Sequence, residues 1–244
     1  MIDPFERGMA WYMYNKLENE FIETTSYVAL VTDHDDVWSE KYGELLTRTG
    51  DLVDSFFRDM VNSKSLDNEE TVKRLREKIQ KKRQKNKDWS PNITDFRKTF
   101  NPIFQLSSVE VEADYGLTYY GKLNPFKNFD KKKPFWWGSY NKVKHEIFEK
   151  IEENATLYNT INALAGLFIL NILHMENRRY LARYTTVFFV EHLGKKQMEK
   201  DLSASFIGIP EPYRGWSFIA KTPLFTHVLR VDEKVKVRRY IVSK

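Results

Sequence analysis

The segment Phe135-Trp136-Trp137-Gly138-Ser139-Tyr140-Asn141-Lys142-Val143-Lys144-His145 carries residue types suited to acid–base work and to holding a phosphate. An imidazole such as His145 titrates near neutrality, and an adjacent carboxylate favours its protonated form. Lys142 and Lys144 can hold a phosphate by charge. At about 100° per residue on a helix, His145 lies about 200° from Val143. It is therefore opposite the apolar stripe of Val143, Ile147, Ile151, Ala155, Ile161, Ala165 and Phe168. Asn141, Glu149 and Glu152 share its face. This pattern reads in two ways: an acid–base site, or a solvated helix face whose first turn packs under Trp136 and Trp137.

A second concentration of chemistry is the run Lys73, Arg74, Arg76, Lys78, Lys81, Lys82, Arg83, Lys85 and Lys87, interrupted by one acid, Glu77. Its local net charge is +8, so the rest of a chain of net +5 sums to −3. The basicity is one local feature. Such a run can track a phosphate backbone, with affinity falling as salt rises, or it can be a solvated helix end. Trp89, just beyond it, can stack on a base or anchor the loop. Lys131, Lys132 and Lys133 would extend the same surface towards His145.

Other polar clusters suggest less. Asp33-His34-Asp35-Asp36 offers too few ligands to close a metal site and reads as an inter-helix turn. His174 reads as a cap at the end of a long helix, where a cation is favoured. There is no glycine-rich phosphate loop and no G-x-S-x-G elbow. The chain has no cysteine, which removes disulfides, thiolate ligands and thiol nucleophiles. Neither a cofactor nor a metal is expected.

The elements that must position these residues follow from periodicity. A helix is predicted over Phe5–Val31, with Met9, Met13, Leu17, Phe21, Tyr27 and Leu30 inward. Ser39 is the predicted N-cap of a second helix reaching Asn62, interrupted by Gly50. Asp67 with Glu70 makes a capping box for a third, which holds the basic run and whose far end protrudes or frays. Asp88–Phe135, with four prolines, is the least regular part, with short strands at Val109–Val111 and Leu117–Tyr120. Ser139 opens the longest predicted helix, to about Asn177. Arg178–Leu193 reads as a further helix, with Thr185–Val190 as a strand alternative. Phe225–Val231 and Val235–Val242 alternate around Asp232-Glu233 as a hairpin does.

The aromatic lead, Tyr-Asn-x-x-Lys-His and a long apolar helix such as Asn162-Ala163-Leu164-Ala165-Gly166-Leu167-Phe168 resemble HEPN-type helical domains of prokaryotic proteins. Phe21-Ile22-Glu23-Thr24-Thr25-Ser26-Tyr27-Val28 and Thr49-Gly50-Asp51-Leu52-Val53-Asp54 add to the resemblance, which covers roughly Phe5–His174. It implies a mainly α bundle that commonly dimerises or holds a cognate partner. It also implies metal-independent cleavage of RNA, as in defence and toxin–antitoxin systems. In that scheme a histidine takes part in attack by the 2′-hydroxyl and an arginine steadies the phosphate. Asn141 and His145 match the polar residue and the histidine, whereas Tyr140 stands where the arginine belongs. A phenol lacks the guanidinium fork, which leaves two readings: a ribonuclease that uses Lys142 or Lys144 instead, or a non-catalytic module that binds RNA or a partner.

On this reading residues 1–200 form the helical bundle, with an irregular insertion over 88–138, and residues 201–244 form a small β appendage packed on it. A length of 244 residues suits this, and aromatics at 15% argue against disorder. The most apolar stretch, Ile161–Leu173, is too short and too polar for a span of ~20 residues. Met1–Arg7 lacks a basic-then-apolar pattern, so no secretory signal and a cytoplasmic location are expected. The sequons at Asn92 and Asn154 are then coincidental.

Overall fold

Helix α7 (Leu157–Leu173) is the axis of the structure, a computed structural model that describes residues 8–174, 186–191, 197–199, 216–231 and 240–241. Fifteen of its 17 residues are buried. Helix α2 (Glu40–Asn62) lies along it, and α1 (Met9–Thr24) and α5 (Phe135–His145) flank the pair. The described residues are mainly helical, with one antiparallel sheet.

Helix α2 begins where its sequence says it should. The Ser39 hydroxyl accepts from the Tyr42 N–H at 3.0 Å, and Leu45, Leu46, Val53, Phe56, Phe57 and Met60 are buried. Helix α1 is shorter than its periodicity predicts. The hydroxyls of Thr24 and Thr25 return to the carbonyls of Phe21 and Ile22 at 2.6 and 2.7 Å and close the last turn. Its inward face is Trp11, Tyr14, Leu17, Glu18 and Phe21, because the larger rings win the contact with Phe168. Met9, Met13 and Tyr27, expected inside, face out.

Helix α3 (Glu70–Lys85) lacks the expected capping box. Asp67 accepts instead from Arg76, at 2.7 Å. The far end stays helical to Lys85, although every residue from Lys81 to Asp88 is exposed. Helix α4 (Ile93–Phe104) stands in the stretch expected to be irregular. Its capping box is real: the Asn92 side chain accepts from the Asp95 N–H, and Asp95 accepts from the Asn92 N–H. Phe96 and Phe100 then stack on Phe57, with ring centroids 5.3 and 5.6 Å apart.

The long helix expected over Ser139–Asn177 is three helices: α5, α6 (Ile147–Asn154) and α7. The backbone leaves helical geometry at Glu146 (φ −132°, ψ 39°) and Ala155 (φ −84°, ψ 51°). Distant chain fixes the second break. Ser39 N–H bonds the Ala155 carbonyl at 3.3 Å, Leu157 N–H bonds Val37 at 2.9 Å, and Tyr158 N–H bonds Asp35 at 3.1 Å. Thr156 then caps α7, accepting from the Asn159 N–H. Glu149 and Glu152 therefore sit on α6, not one and two turns above His145 on a continuous helix. His174 follows α7 as expected but is buried, edge-on to Phe56 at 5.4 Å. Met175–Asn177 lie outside the described residues.

Strands β1 (Val111–Tyr115) and β2 (Thr118–Leu123) form a hairpin turned at Gly116, whose φ of 63° suits glycine. They fall a few residues beyond the expected positions. The other strands are β3 (Thr186–Glu191), β4 (Gln197–Glu199), β5 (Trp216–Lys221), β6 (Phe225–Val231) and β7 (Tyr240–Ile241). The strand alternative within Arg178–Leu193 is thus the one adopted where that segment is described. The order is β2-β1-β6-β5-β3-β4, with β7 also on β6, and every pairing is antiparallel. The tail hairpin matches expectation for β6, which pairs Arg230 with Ile241 and Val231 with Tyr240. Asp232–Arg239 lie outside the described residues.

The sheet is locked to α1 by a buried carboxylate. Glu18 accepts from the Tyr14 hydroxyl at 2.8 Å, from the Leu224 N–H at 3.1 Å and from the Thr222 hydroxyl. Burial pushes its carboxyl up. No helix among the described residues is long and apolar enough to cross a membrane.

Candidate nucleic-acid interface

Helix α5 starts after Pro134, whose fixed φ suits a helix start. Trp136 anchors it, donating from Nε1 to the Pro125 carbonyl at 2.8 Å. This anchoring turns Trp136, Trp137, Tyr140 and Val143 inward and leaves Lys142, Lys144 and His145 outside. The candidate residues therefore divide. Tyr140 is buried, and its hydroxyl donates to Asp51 Oδ1 at 2.5 Å. Lys144 reaches the same oxygen at 2.5 Å and the Tyr140 hydroxyl at 3.0 Å. Burial, then the Asp51 hydrogen bond, pushes the Tyr140 phenol up to about 12. The Asp51 hydrogen bond raises Lys144.

Asp51 was not visible as a site residue from sequence, since it lies 89 and 93 residues from its partners. The one local signal was Gly50. A Cβ there would stand 2.3 Å from Tyr140 Cδ2, so only glycine lets the phenol ring pass against α2 to reach Asp51.

Asn141 donates to the Trp137 carbonyl at 3.0 Å, one turn back along its own helix. Its amide is not directed at His145. His145 is exposed at the last residue of α5, and Lys142, one turn before it, is exposed too. The arrangement gathers Tyr140, Lys144 and Asp51 into one bonded cluster and leaves His145 and Lys142 in solvent.

The basic run divides in the same way. Arg76 is a structural clamp, donating to the carbonyls of Val61 at 2.6 Å and Ser63 at 3.0 Å as well as to Asp67. It ties α3 to the end of α2. Lys78 pairs with Asp95 of α4 and lies over the Trp89 ring, 5.5 Å from its centroid. Arg83 donates to the Trp89 carbonyl at 3.2 Å. Trp89 is half-buried between these cations, so it anchors the loop after α3. Arg74 pairs with Glu70 at 3.1 Å on the open surface, where such a pair is weak.

Lys73, Lys81, Lys82, Lys85 and Lys87 are exposed, and none makes an ion pair among the described residues. Arg74, Lys78, Lys81 and Lys85 recur at i, i+4, i+7 and i+11. They fall within about 60° of one another and span roughly 16 Å. With Glu77 and Lys82 at its margins, this row lines a shallow surface groove of about 290 Å³.

The Asp33–Asp36 turn is structural. Asp35 accepts from the Tyr120 hydroxyl, and His34 Nδ1 bonds the Ala29 carbonyl at 2.8 Å. The described residues contain no group of three or more His, Asp or Glu side chains placed to hold a metal. Lys131, Lys132 and Lys133 are exposed on a loop held to α4 by Arg97, which donates to the Asp130 carbonyl.

No family model, curated protein or solved structure matches this chain. The functional reading therefore rests on the residues and their placement.

Proposed function

We propose that this protein is an HEPN-like module that binds RNA through its phosphate backbone and does not cut it. The observation that carries the reading is the row Arg74, Lys78, Lys81 and Lys85 along one side of α3. Neighbouring cations one turn apart, ~5–6 Å between Cβ atoms, can meet successive phosphates of a strand. Helix α3 buries only Val72 and Leu75, with Arg76 and Ile79 partly covered, so most of its remaining residues face solvent. The non-catalytic form is favoured because Tyr140 and Lys144 are both bound to Asp51, and the Asn141 amide nitrogen donates to its own helix.

The metal-independent ribonuclease reading retains one observation. His145 is exposed at the end of α5, with Lys142, which makes no ion pair among the described residues, one turn before it to steady a phosphate. An RNA time course in EDTA, followed for both cleavage and binding, separates the two. The binding reading expects intact RNA, retained equally by wild type and His145→Ala and released by Arg74→Gln/Lys81→Gln/Lys85→Gln. Cleavage by wild type and not by His145→Ala would replace it with the nuclease. No retention by any of them would leave the helical face to a partner protein or a second copy.

A further inference from the structure

We infer that Phe135 and Tyr158 form a base-stacking platform, so that the nucleic acid this protein takes is single-stranded. The inference rests on the RNA-binding reading and names the form of its ligand. The two rings stack on each other at 5.0 Å with an interplanar angle of 18°. Each nevertheless keeps 38% of its surface in solvent. Most large aromatics on these helices behave otherwise: Trp11, Tyr14, Tyr42, Trp136 and Phe168 are buried. Trp38, 43% exposed, is bridged through its backbone to Thr156, two residues before Tyr158.

The pair is preorganised by rigid neighbours. Phe135 is the first residue of α5, immediately before Trp136, which is pinned to Pro125. Tyr158 lies in the first turn of α7, with its N–H fixed by the Asp35 carbonyl at 3.1 Å. An ordered flat ring at the surface loses little entropy when a base stacks on it.

Positive charge next to Phe135 suits a polyanionic occupant. Lys131, Lys132 and Lys133 are exposed and end two residues before Phe135. Their loop is closed by the N–H groups of Lys131 and Lys132, which both bond the Asn128 carbonyl at 2.9 Å. Arg97 of α4 holds that loop, and Asp95 of α4 holds Lys78 of α3. Helix α4 thus packs against both α3 and the loop that carries the three lysines. Cations next to an exposed aromatic stack are the recurring requirements for binding single strands, whose bases are free to leave one another. A duplex buries those base faces and would meet only the lysines.

Three ligands test this on the full chain by fluorescence anisotropy: oligouridine, a base-free oligomer of the same length, and a blunt RNA duplex. Phe135→Leu/Tyr158→Leu keeps apolar bulk for packing and removes both flat faces, and a thermal melt checks that it folds. Wild type is expected to prefer oligouridine, and the variant to lose roughly 5- to 100-fold on oligouridine alone, with the base-free oligomer unchanged. Equal oligouridine affinity in a folded variant overturns the platform while leaving backbone binding intact. No binding of any ligand by wild type overturns both readings. A wild-type dimer that becomes monomeric in the variant would make the rings a protein interface, and so overturn the platform as well.

Discussion

Helices α7 and α3 are nearly equal in length, 17 and 16 residues, yet α7 buries fifteen of its residues and α3 buries two. The first exists because the rest of the molecule packs on it. Burial of an apolar surround, not intrinsic propensity, holds such a helix. The second stands mainly on strong helix formers, Lys, Arg, Gln, Glu and Leu, on the Glu70–Arg74 pair and on the Arg76 clamp. A helix that contributes so little to the core, and carries eight of the chain's 39 Lys and Arg residues, is placed for something outside the molecule. The contrast separates residues that hold the fold from residues available to a ligand, and it can be broken at both ends.

The largest effect is expected at Phe168→Ala in α7. Its ring meets Trp11, Tyr14 and Phe225, so truncation opens a cavity and should cost about 3–5 kcal/mol in urea melts. A loss under 1 kcal/mol would deny α7 its central role.

The buried side should also be the acid-sensitive side. His227 is buried, with Nδ1 on the Glu110 carbonyl at 2.6 Å, and burial pushes its imidazole down to about 4. The fold therefore holds the neutral ring. Its contribution is complete above the unfolded value near 6.5 and drains as pH falls from there through 4. Wild type should lose about 2–3 kcal/mol on that account between pH 7 and 4. His227→Gln should flatten the step, and an unchanged pH profile in the variant would remove His227 as its source.

Next comes Gly50→Ala. Helix propensity alone would favour alanine by up to ~1 kcal/mol. The new Cβ, 2.3 Å from Tyr140, should outweigh that gain and leave the protein less stable by about 1–2 kcal/mol. Added stability would show that Tyr140 can move off α2 at little cost.

Within α3 the effects should split by role. Arg76→Ala strips the donor from two carbonyls and should cost about 1–2 kcal/mol. Lys81→Gln/Lys82→Gln/Lys85→Gln should change stability by less than about 0.5 kcal/mol. Equal losses in the two variants would erase the distinction between clamp and ligand-facing residues.

What was legible in the sequence was what is decided locally. Ser39 caps α2 through its own third neighbour, β6 shows its alternation, and the basic run announces an exposed helix. What was not legible depends on chain far away. The break at Ala155 is set by Asp35–Ser39, more than a hundred residues earlier, and the one local sign of it is Thr156, a threonine able to cap the helix that follows. Helix α4 was hidden by Pro91 and Pro102, although Asn92 and Asp95 carried a legible capping box. Periodicity does not decide the inward face of α1, because Met9, Met13 and Tyr27 fit it as well as Trp11, Tyr14 and Phe21 do, and only contact with Phe168 decides. At the candidate site, periodicity put His145 and the lysines outside. It could not supply Asp51, the partner that occupies Tyr140 and Lys144.

The most direct test of the central claim is the salt dependence of RNA binding, measured for wild type and Lys81→Gln/Lys82→Gln/Lys85→Gln. Each phosphate neutralised on a single strand contributes ~0.7 to the slope of log K against log salt concentration. The variant should bind more weakly, with a slope shallower by about 2. Parallel lines of equal slope, or no RNA binding by the wild type, would contradict that claim.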